Sequence, residues 1–420
     1  MGSYELICRA AARRSPRPTE ARIGTSRRPL ISRGSLRDIG GVGDALNVGS
    51  VFRHGGTSVG DLPHQTEEAT PAFVTDCLRE GGVLDRASSV AEVVHEPIGV
   101  GVGIVGQLAR LSLRYDGEAL GAPGSVVLKL PSHFPENRAQ GDHFNFYERE
   151  GRFYQHLADK LPTRTARCYW NLIDPDANQF GLLLEDLGHR TSISQVAGVG
   201  ADRARQALVS LAGLHTELWE SPVIDAFTWM PRFDGAINLS AGPGYRQAWE
   251  PFLAKFGDTL PASSVALGEH VQAEWEELMP VCRSSSPVTV AHGDFRIDNL
   301  LFDDGAAPDD RVAVLDWQIS SSGPGVFDVA YLLSGSMAVD ERRACEDDIL
   351  RAWHDALGRP DYPFESAWTE YRRNLLVTTV YAVIAGAQFD PANERGRELV
   401  ESMAVRSFTA CLDLDAADLL

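Results

Sequence analysis

Lysine is the scarcest charged residue in this chain: three lysines (Lys129, Lys160, Lys255) stand beside 36 arginines in 420 residues. Where arginine fills nearly every basic position, a retained lysine marks a place that needs a compact ammonium and not a planar fork. Cysteine is equally uninformative as a framework. The six (Cys8, Cys77, Cys168, Cys282, Cys345, Cys411) are dispersed with no C-x-x-C, which argues against a disulfide scaffold or a zinc site and fits reduced thiols in a cytoplasmic protein. No long apolar run exists either. The best, Asn374 to Phe389, carries Thr378, Thr379 and Tyr381, so a buried helix is expected and not a membrane span. There is no G-x-x-x-x-G-K-[ST], no zinc, EF-hand or serine-hydrolase spacing, and no repeat.

Acidity dominates what is there. The net charge is −19, yet residues 1–60 hold ten arginines and four acids, which puts +6 there and leaves −25 on the rest. An acidic body excludes nucleic acid, whose phosphates demand lysine and arginine, and is compatible with a cationic substrate. Residues 1–62, rich in Arg, Ser, Gly and Pro, read as a disordered extension without a part in catalysis.

Chemistry concentrates in His292-Gly293-Asp294-Phe295-Arg296-Ile297-Asp298-Asn299 and, 17 residues beyond Asn299, in Leu315-Asp316-Trp317-Gln318. Apolar segments flank both: Val288 to Ala291, Leu300 to Phe302 and Val312 to Leu315. One carboxylate (Asp294) is placed to accept a hydroxyl proton. An amide oxygen (Asn299) and a second carboxylate (Asp316) suit Mg²⁺ on ATP phosphates. H-x-D-x-x-x-x-N is a kinase catalytic-loop spacing. Lys129 ends the apolar run from Val126, after Gly101-x-Gly103-x-x-Gly106. A dinucleotide fold would continue from those glycines into a helix. The sequence after Gly106 reads as a strand, so a hairpin over phosphates is expected instead.

The wording H-G-D-F-x-x-D-N-L-L-F and L-D-W-Q resembles the small-molecule kinase branch of the protein-kinase-like superfamily: aminoglycoside phosphotransferases, choline kinases and the ecdysteroid-kinase-like group. The resemblance covers roughly residues 65–420. It implies a bilobal α+β fold, with a β-rich N-lobe over 63–187 and a mostly helical C-lobe over 188–420. It implies Asp294 as catalytic base, Asn299 and Asp316 as metal ligands, and Gly101, Gly103, Gly106 and Lys129 on the ATP phosphates. Arg149-Glu150-x-x-Phe153-Tyr154 resembles the family's R-E-x-x-F-Y, making Glu150 the partner of Lys129, with Glu148 the alternative. Glu185 and Leu187, in the L-L-L-E-D-L-G stretch, would form the hinge against adenine. Asp328 is expected to cap the helix it opens, or by the resemblance to brace the active-site loops, and His215 is expected to be a packed helix residue. No activation segment or A-P-E follows Asp316, so the acceptor is a hydroxylated small molecule and not a protein. The wording leans toward a lipophilic, sterol-like alcohol, then an aminoglycoside, then choline or ethanolamine. A non-catalytic nucleotide-binding regulator is the reading from another class, and an NAD-binding oxidoreductase the weakest.

Overall fold

The computed structural model describes residues 62–99, 105–388 and 394–420. The first part is sheet-rich and the remainder helical, an α+β arrangement. Helix α1 (Pro71–Glu80) begins on Thr70, whose hydroxyl accepts the Phe73 N–H at 3.1 Å, and has proline at its first position. An antiparallel sheet follows, built from β1 (Ser89–Ile98), β2 (Gly106–Asp116), β3 (Ser125–Pro131), β5 (Cys168–Asp174) and β6 (Gln179–Glu185) in the order β1-β2-β3-β6-β5. The short β4 (Arg164–Thr165) belongs to a second sheet. Gly101 and Gly103 lie outside the described residues, whereas Gly106 opens β2.

Alternation along β3 decides which way its lysine faces. Val126, Leu128 and Leu130 pack in the cluster that contains Phe73, Val74 and Leu78 of α1. Val127 falls in the other, larger core, and side chains two apart share a face. Lys129 therefore points away from α1. Helix α3 (Phe146–His156) covers that opposite face, packing on β5 and β6. Close approach needs Gly151, where a Cβ would stand 2.8 Å from the Ile173 side chain on β5.

A single helix over 143–161 is what the periodicity predicts, and the structure corrects it. Helix α2 (Pro135–His143) stops first, and Asn145 takes a left-handed backbone (φ 56°) before α3 begins. Asparagine tolerates that conformation better than most residues. Phe144 and Phe146 stack across the break, ring centroids 5.4 Å apart.

In the helical part, α4 (Ala201–Glu217) is followed by α5 (Ala241–Phe256) and α6 (Ser264–Ser284), in a stretch the sequence left without motifs. β7 (Thr191–Ser192), β9 (Leu300–Phe302) and β10 (Val312–Val314) complete the second sheet, and β8 (Val288–Ala291) pairs with β11 (Ser321–Pro324). Helix α7 (Val326–Ser336) is buried along its whole length. α8 (Val339–Leu357), α9 (Phe364–Gln388) and α10 (Glu394–Asp413) close the chain. No helix among the described residues is long and apolar enough to cross a membrane.

Candidate active site

The 17-residue spacing from Asn299 to Asp316 has a simple geometric cause. β9 leaves Asn299 and β10 returns antiparallel to it, pairing Leu300 with Val314. The Leu315 N–H then donates to the Asn299 carbonyl at 2.9 Å, so the hairpin delivers Asp316 back beside its starting point. Asp316 sits in the left-handed region (φ 64°). Such a conformation costs a non-glycine residue about 1–3 kcal/mol and persists where its surroundings over-determine it. Here Trp317 anchors the next position. It is fully buried, donates to the Val314 carbonyl at 3.2 Å, stacks flat on Phe153 of α3 (3.9 Å) and meets His292 edge-on (4.6 Å). One indole thus joins the helix of Glu150 to the loop of Asp294.

Lys129 Nζ lies 2.7 Å from Glu150 Oε2 and 3.0 Å from Asp316 Oδ1. Glu148 turns elsewhere, toward Arg152 at 3.3 Å. Two carboxylates share one ammonium, so the trio carries an excess negative charge. Burial pushes the Glu150 carboxyl up despite Lys129, while at Asp316 the nearby lysine overcomes burial and holds the carboxyl below its ordinary value. Lys129 itself is opposed by burial, but its two carboxylates raise it and keep it charged.

Asp294 occupies the loop before a short 3-10 turn, Ile297–Asn299. Asn299 Nδ2 donates both to the Asp294 carbonyl and to Asp294 Oδ2, each at 2.9 Å. That use of its donors leaves the side-chain oxygen, Asn299 Oδ1, as the atom suited to a cation. Arg296 bridges Asp294 (3.3 Å) and Asp298 (3.0 Å), and the two carboxylates raise its guanidinium further although burial opposes them.

His292 uses both ring nitrogens structurally: Nδ1 accepts the Asp294 N–H (3.2 Å), so Nε2 donates to the Leu315 carbonyl (2.9 Å). Gly293 has φ 86°, and a Cβ there would lie 2.5 Å from the Ile319 carbonyl oxygen. Asp328 does not cap its own helix, whose N-cap is Gly325, because its carboxylate is spent on the loop. It accepts the N–H groups of His292 (2.7 Å) and Gly293 (2.9 Å), and His215 Nε2 at 3.3 Å. Trp353 donates to His215 Nδ1 (3.1 Å), which fixes the proton on Nε2 facing Asp328. His215 is thereby a buried helix residue that also orients the brace.

Glu185 ends β6 with its side chain doubly bonded to Arg164 (2.8 Å to each oxygen), and Leu187 is buried. The Glu185 carboxylate is therefore committed, and only backbone atoms of this turn remain for a ligand. Sequence reasoning passed over Trp317, Arg296 and Arg164. Trp317 and Arg296 stood inside quoted motifs and Arg164 outside all of them, and the partners that give each a role are distant in sequence or are defined only by side-chain direction.

The donor set meets the needs of Mg²⁺: hard oxygen ligands from Asn299 and Asp316, few enough for the ion to keep waters and phosphate oxygens.

The profile described as phosphotransferase enzyme family (APH) matches residues 118–368, more than half of the chain. The chain belongs to the phosphotransferase enzyme family. Family membership makes it a phosphotransferase with a hydroxyl acceptor. Among solved structures it is similar to choline kinase from Cryptosporidium parvum Iowa II (10% identity, 83% of this chain and 96% of that chain, TM-score 0.50). Ethanolamine kinase from Plasmodium vivax (11% identity, 85% and 90%, TM-score 0.48) and macrolide 2'-phosphotransferase from Brachybacterium faecium (18% identity, 80% and 97%, TM-score 0.41) are also similar. At these identities the likeness to choline kinase speaks for the kinase-like fold alone. No curated protein matches the chain.

Proposed function

We propose that this phosphotransferase is an ATP- and Mg²⁺-dependent kinase of a hydroxylated small molecule, acting in a reducing, cytoplasmic setting. The observation that carries the reading is the Lys129–Glu150–Asp316 cluster set beside the Asp294–Asn299 pair, since phosphoryl transfer asks mainly for positioning and charge neutralisation. In this reading the division between a nucleotide-holding lobe and an acceptor-holding lobe falls after Leu187. Lys129, oriented by Glu150, contacts the ATP phosphates, with Gly101, Gly103 and Gly106 covering them and the backbone around Glu185 and Leu187 meeting adenine. Asn299 and Asp316 hold the metal, which when bound neutralises phosphate charge and aligns the γ-phosphoryl group. Asp294, its Oδ2 steadied by Asn299 and Arg296, takes the acceptor hydroxyl's proton as the hydroxyl oxygen bonds to the γ-phosphorus and the bond from that phosphorus to the β-phosphate oxygen breaks, releasing ADP. His292 keeps its proton on Nε2 throughout, because both its nitrogens hold the loop in shape.

The test is acceptor-dependent ADP release by the full chain across a panel of hydroxylated small molecules. Asp294→Asn should lower turnover by roughly 10²–10⁴, the usual worth of a positioned base, and keep MgATP binding. Undiminished turnover in that variant removes Asp294 from its role. Binding of ATP without transfer to any acceptor favours the regulator reading.

A further inference from the structure

Arg149 precedes the glutamate that holds Lys129, on the same buried helix. Its side chain belongs to a residue only 1% exposed. One nitrogen, Nη2, donates to the Phe144 carbonyl. Nε is buried without a partner among the described residues, and the guanidinium sits 5.8 Å from the Phe146 ring. No carboxylate pairs with it there. A buried cation without a counterion is strongly disfavoured, so native structures supply one. This chain does so elsewhere: Arg296 has Asp294 and Asp298, Arg342 has Glu346 and Asp413, and Arg190 has Asp310. Arg406, only half-buried, instead turns its nitrogens onto the carbonyls of Gln195, Val196 and Gly335. Of the three arginines that are buried among the described residues, Arg149, Arg190 and Arg342, Arg149 alone has no carboxylate partner there.

Its surroundings connect it to the reacting end of the site. Tyr381 on α9 lies in the fields of both Asp294 and Arg149. Its ring meets that of Tyr331 at 5.2 Å, and the Tyr331 hydroxyl lies against Asp294. Phe327 stacks on Tyr331 at 5.7 Å, extending the aromatic wall along α7. These rings therefore lie near both the proposed base and a guanidinium that has no carboxylate partner among the described residues. Burial, opposed by Tyr381, pushes that guanidinium down to about 10, still well above neutrality, so it stays charged.

We propose that Arg149 binds the acceptor, and that the acceptor is a hydroxylated compound with an anionic oxygen group, a carboxylate or a phosphate, remote from the reacting hydroxyl. The inference rests on the kinase reading above and narrows its substrate class. The planar fork of arginine matches both oxyanions in a two-point contact, and the rings of Tyr331 and Tyr381 suit the apolar stretch between the two ends. An aminoglycoside or choline would place its positive charge against Arg149.

The experiment uses the full chain and matched acceptors: hydroxycarboxylic acids of graded length and their amides, hydroxyalkyl phosphates, and ethanolamine and kanamycin as cationic controls. ADP release should favour the anionic member of each pair. Arg149→Met should raise KM for the acids by roughly 10–100-fold, the worth of a charge-assisted hydrogen bond, and leave the amides and MgATP affinity unchanged. Transfer to the cationic controls in preference to the acids, or equal use of acid and amide, overturns the assignment while leaving the kinase reading standing. Weaker MgATP binding in Arg149→Met also overturns it, because the oxyanion would then be the nucleotide's phosphate. Where no acceptor turns over, the kinase reading fails, and Arg149 is judged on the stability of the free protein. Removing an uncompensated buried charge should leave the Tm of Arg149→Met equal to or above the native value. A clear fall in Tm identifies Arg149 as a packing residue and refutes its poise for a ligand.

Discussion

Replacing Asp328 by asparagine should damage the catalytic loop without touching any group that meets a substrate. The carboxylate is fully buried and takes three donors: Gly293 N–H on Oδ1, and His292 N–H with His215 Nε2 on Oδ2. An amide keeps one oxygen. Its best placement satisfies the two donors at Oδ2 and turns an NH₂ group toward the Gly293 N–H, 2.9 Å from the atom it replaces. One backbone donor and one side-chain donor are then buried without acceptors, at about 1–3 kcal/mol each. The expected loss is about 2–6 kcal/mol, and Asp328→Ala, which orphans all three donors, should lose more, about 3–9 kcal/mol. His215 cannot relieve the conflict by moving its proton, since Nδ1 already accepts from Trp353. Urea unfolding measures this as a lower midpoint at constant slope. Turnover should fall with stability, because Gly293 and His292 set the position of Asp294. Both variants within about 0.5 kcal/mol of the native protein, the ordinary range of surface changes, would refute the brace.

Three further expectations follow from the same geometry. Glu150→Gln should weaken MgATP binding by about tenfold, one charge-assisted contact, whereas Glu148→Gln, on a partly exposed pair with Arg152, should change little; isothermal titration separates them, and equal effects would undo the pairing with Lys129. Gly293→Ala should destabilise the protein by about 1–3 kcal/mol, because φ is 86° and the added carbon meets the Ile319 carbonyl; an unchanged Tm would contradict this. Asp413 is held below its ordinary carboxylate value by hydrogen bonds from Arg343, with Arg342 adding to the effect. Its folded-state pKa lies below the unfolded one, so its stabilisation is complete above the ordinary value of 3.8 and is lost as pH falls through the lowered one. Asp413→Asn should therefore lower Tm at pH 7 and converge with the native protein in strong acid; a constant difference across that range would exclude the linkage.

Much of the site was legible because its parts are local in sequence. Asp294, Asn299 and Asp316 lie on one loop and one hairpin, so spacing alone anticipates their proximity, and the scarcity of lysine singled out Lys129. Glu150 was separable from Glu148 only by the wording around it, although the reason is physical: a helix presents neighbouring residues about 100° apart, and only one of the two faces β3. The break at Asn145 was hidden because the apolar rhythm lies after it, in Phe146, Phe153 and Tyr154, and the polar stretch before it marks no boundary. The bracing work of Asp328 was available only from the resemblance, because its donors lie 35 and 36 residues earlier in the chain. Helices α5 and α6 carry no motif, and their burial emerges only when α9 packs against them. Arg149 stood in plain view in R-E-x-x-F-Y, but no sequence pattern reveals a missing counterion.

The most direct test of the central claim is thermal stabilisation of the full chain by ATP, measured with and without Mg²⁺, in the native protein and in Asp316→Asn. ATP at about 100 times Kd should stabilise the native protein by roughly 2.7 kcal/mol when Mg²⁺ is present. That gain should shrink without the metal, and the metal dependence should vanish in Asp316→Asn. A shift indifferent to Mg²⁺ and to Asp316, or no shift with any nucleotide, would contradict the assignment of this cluster as a metal–nucleotide site.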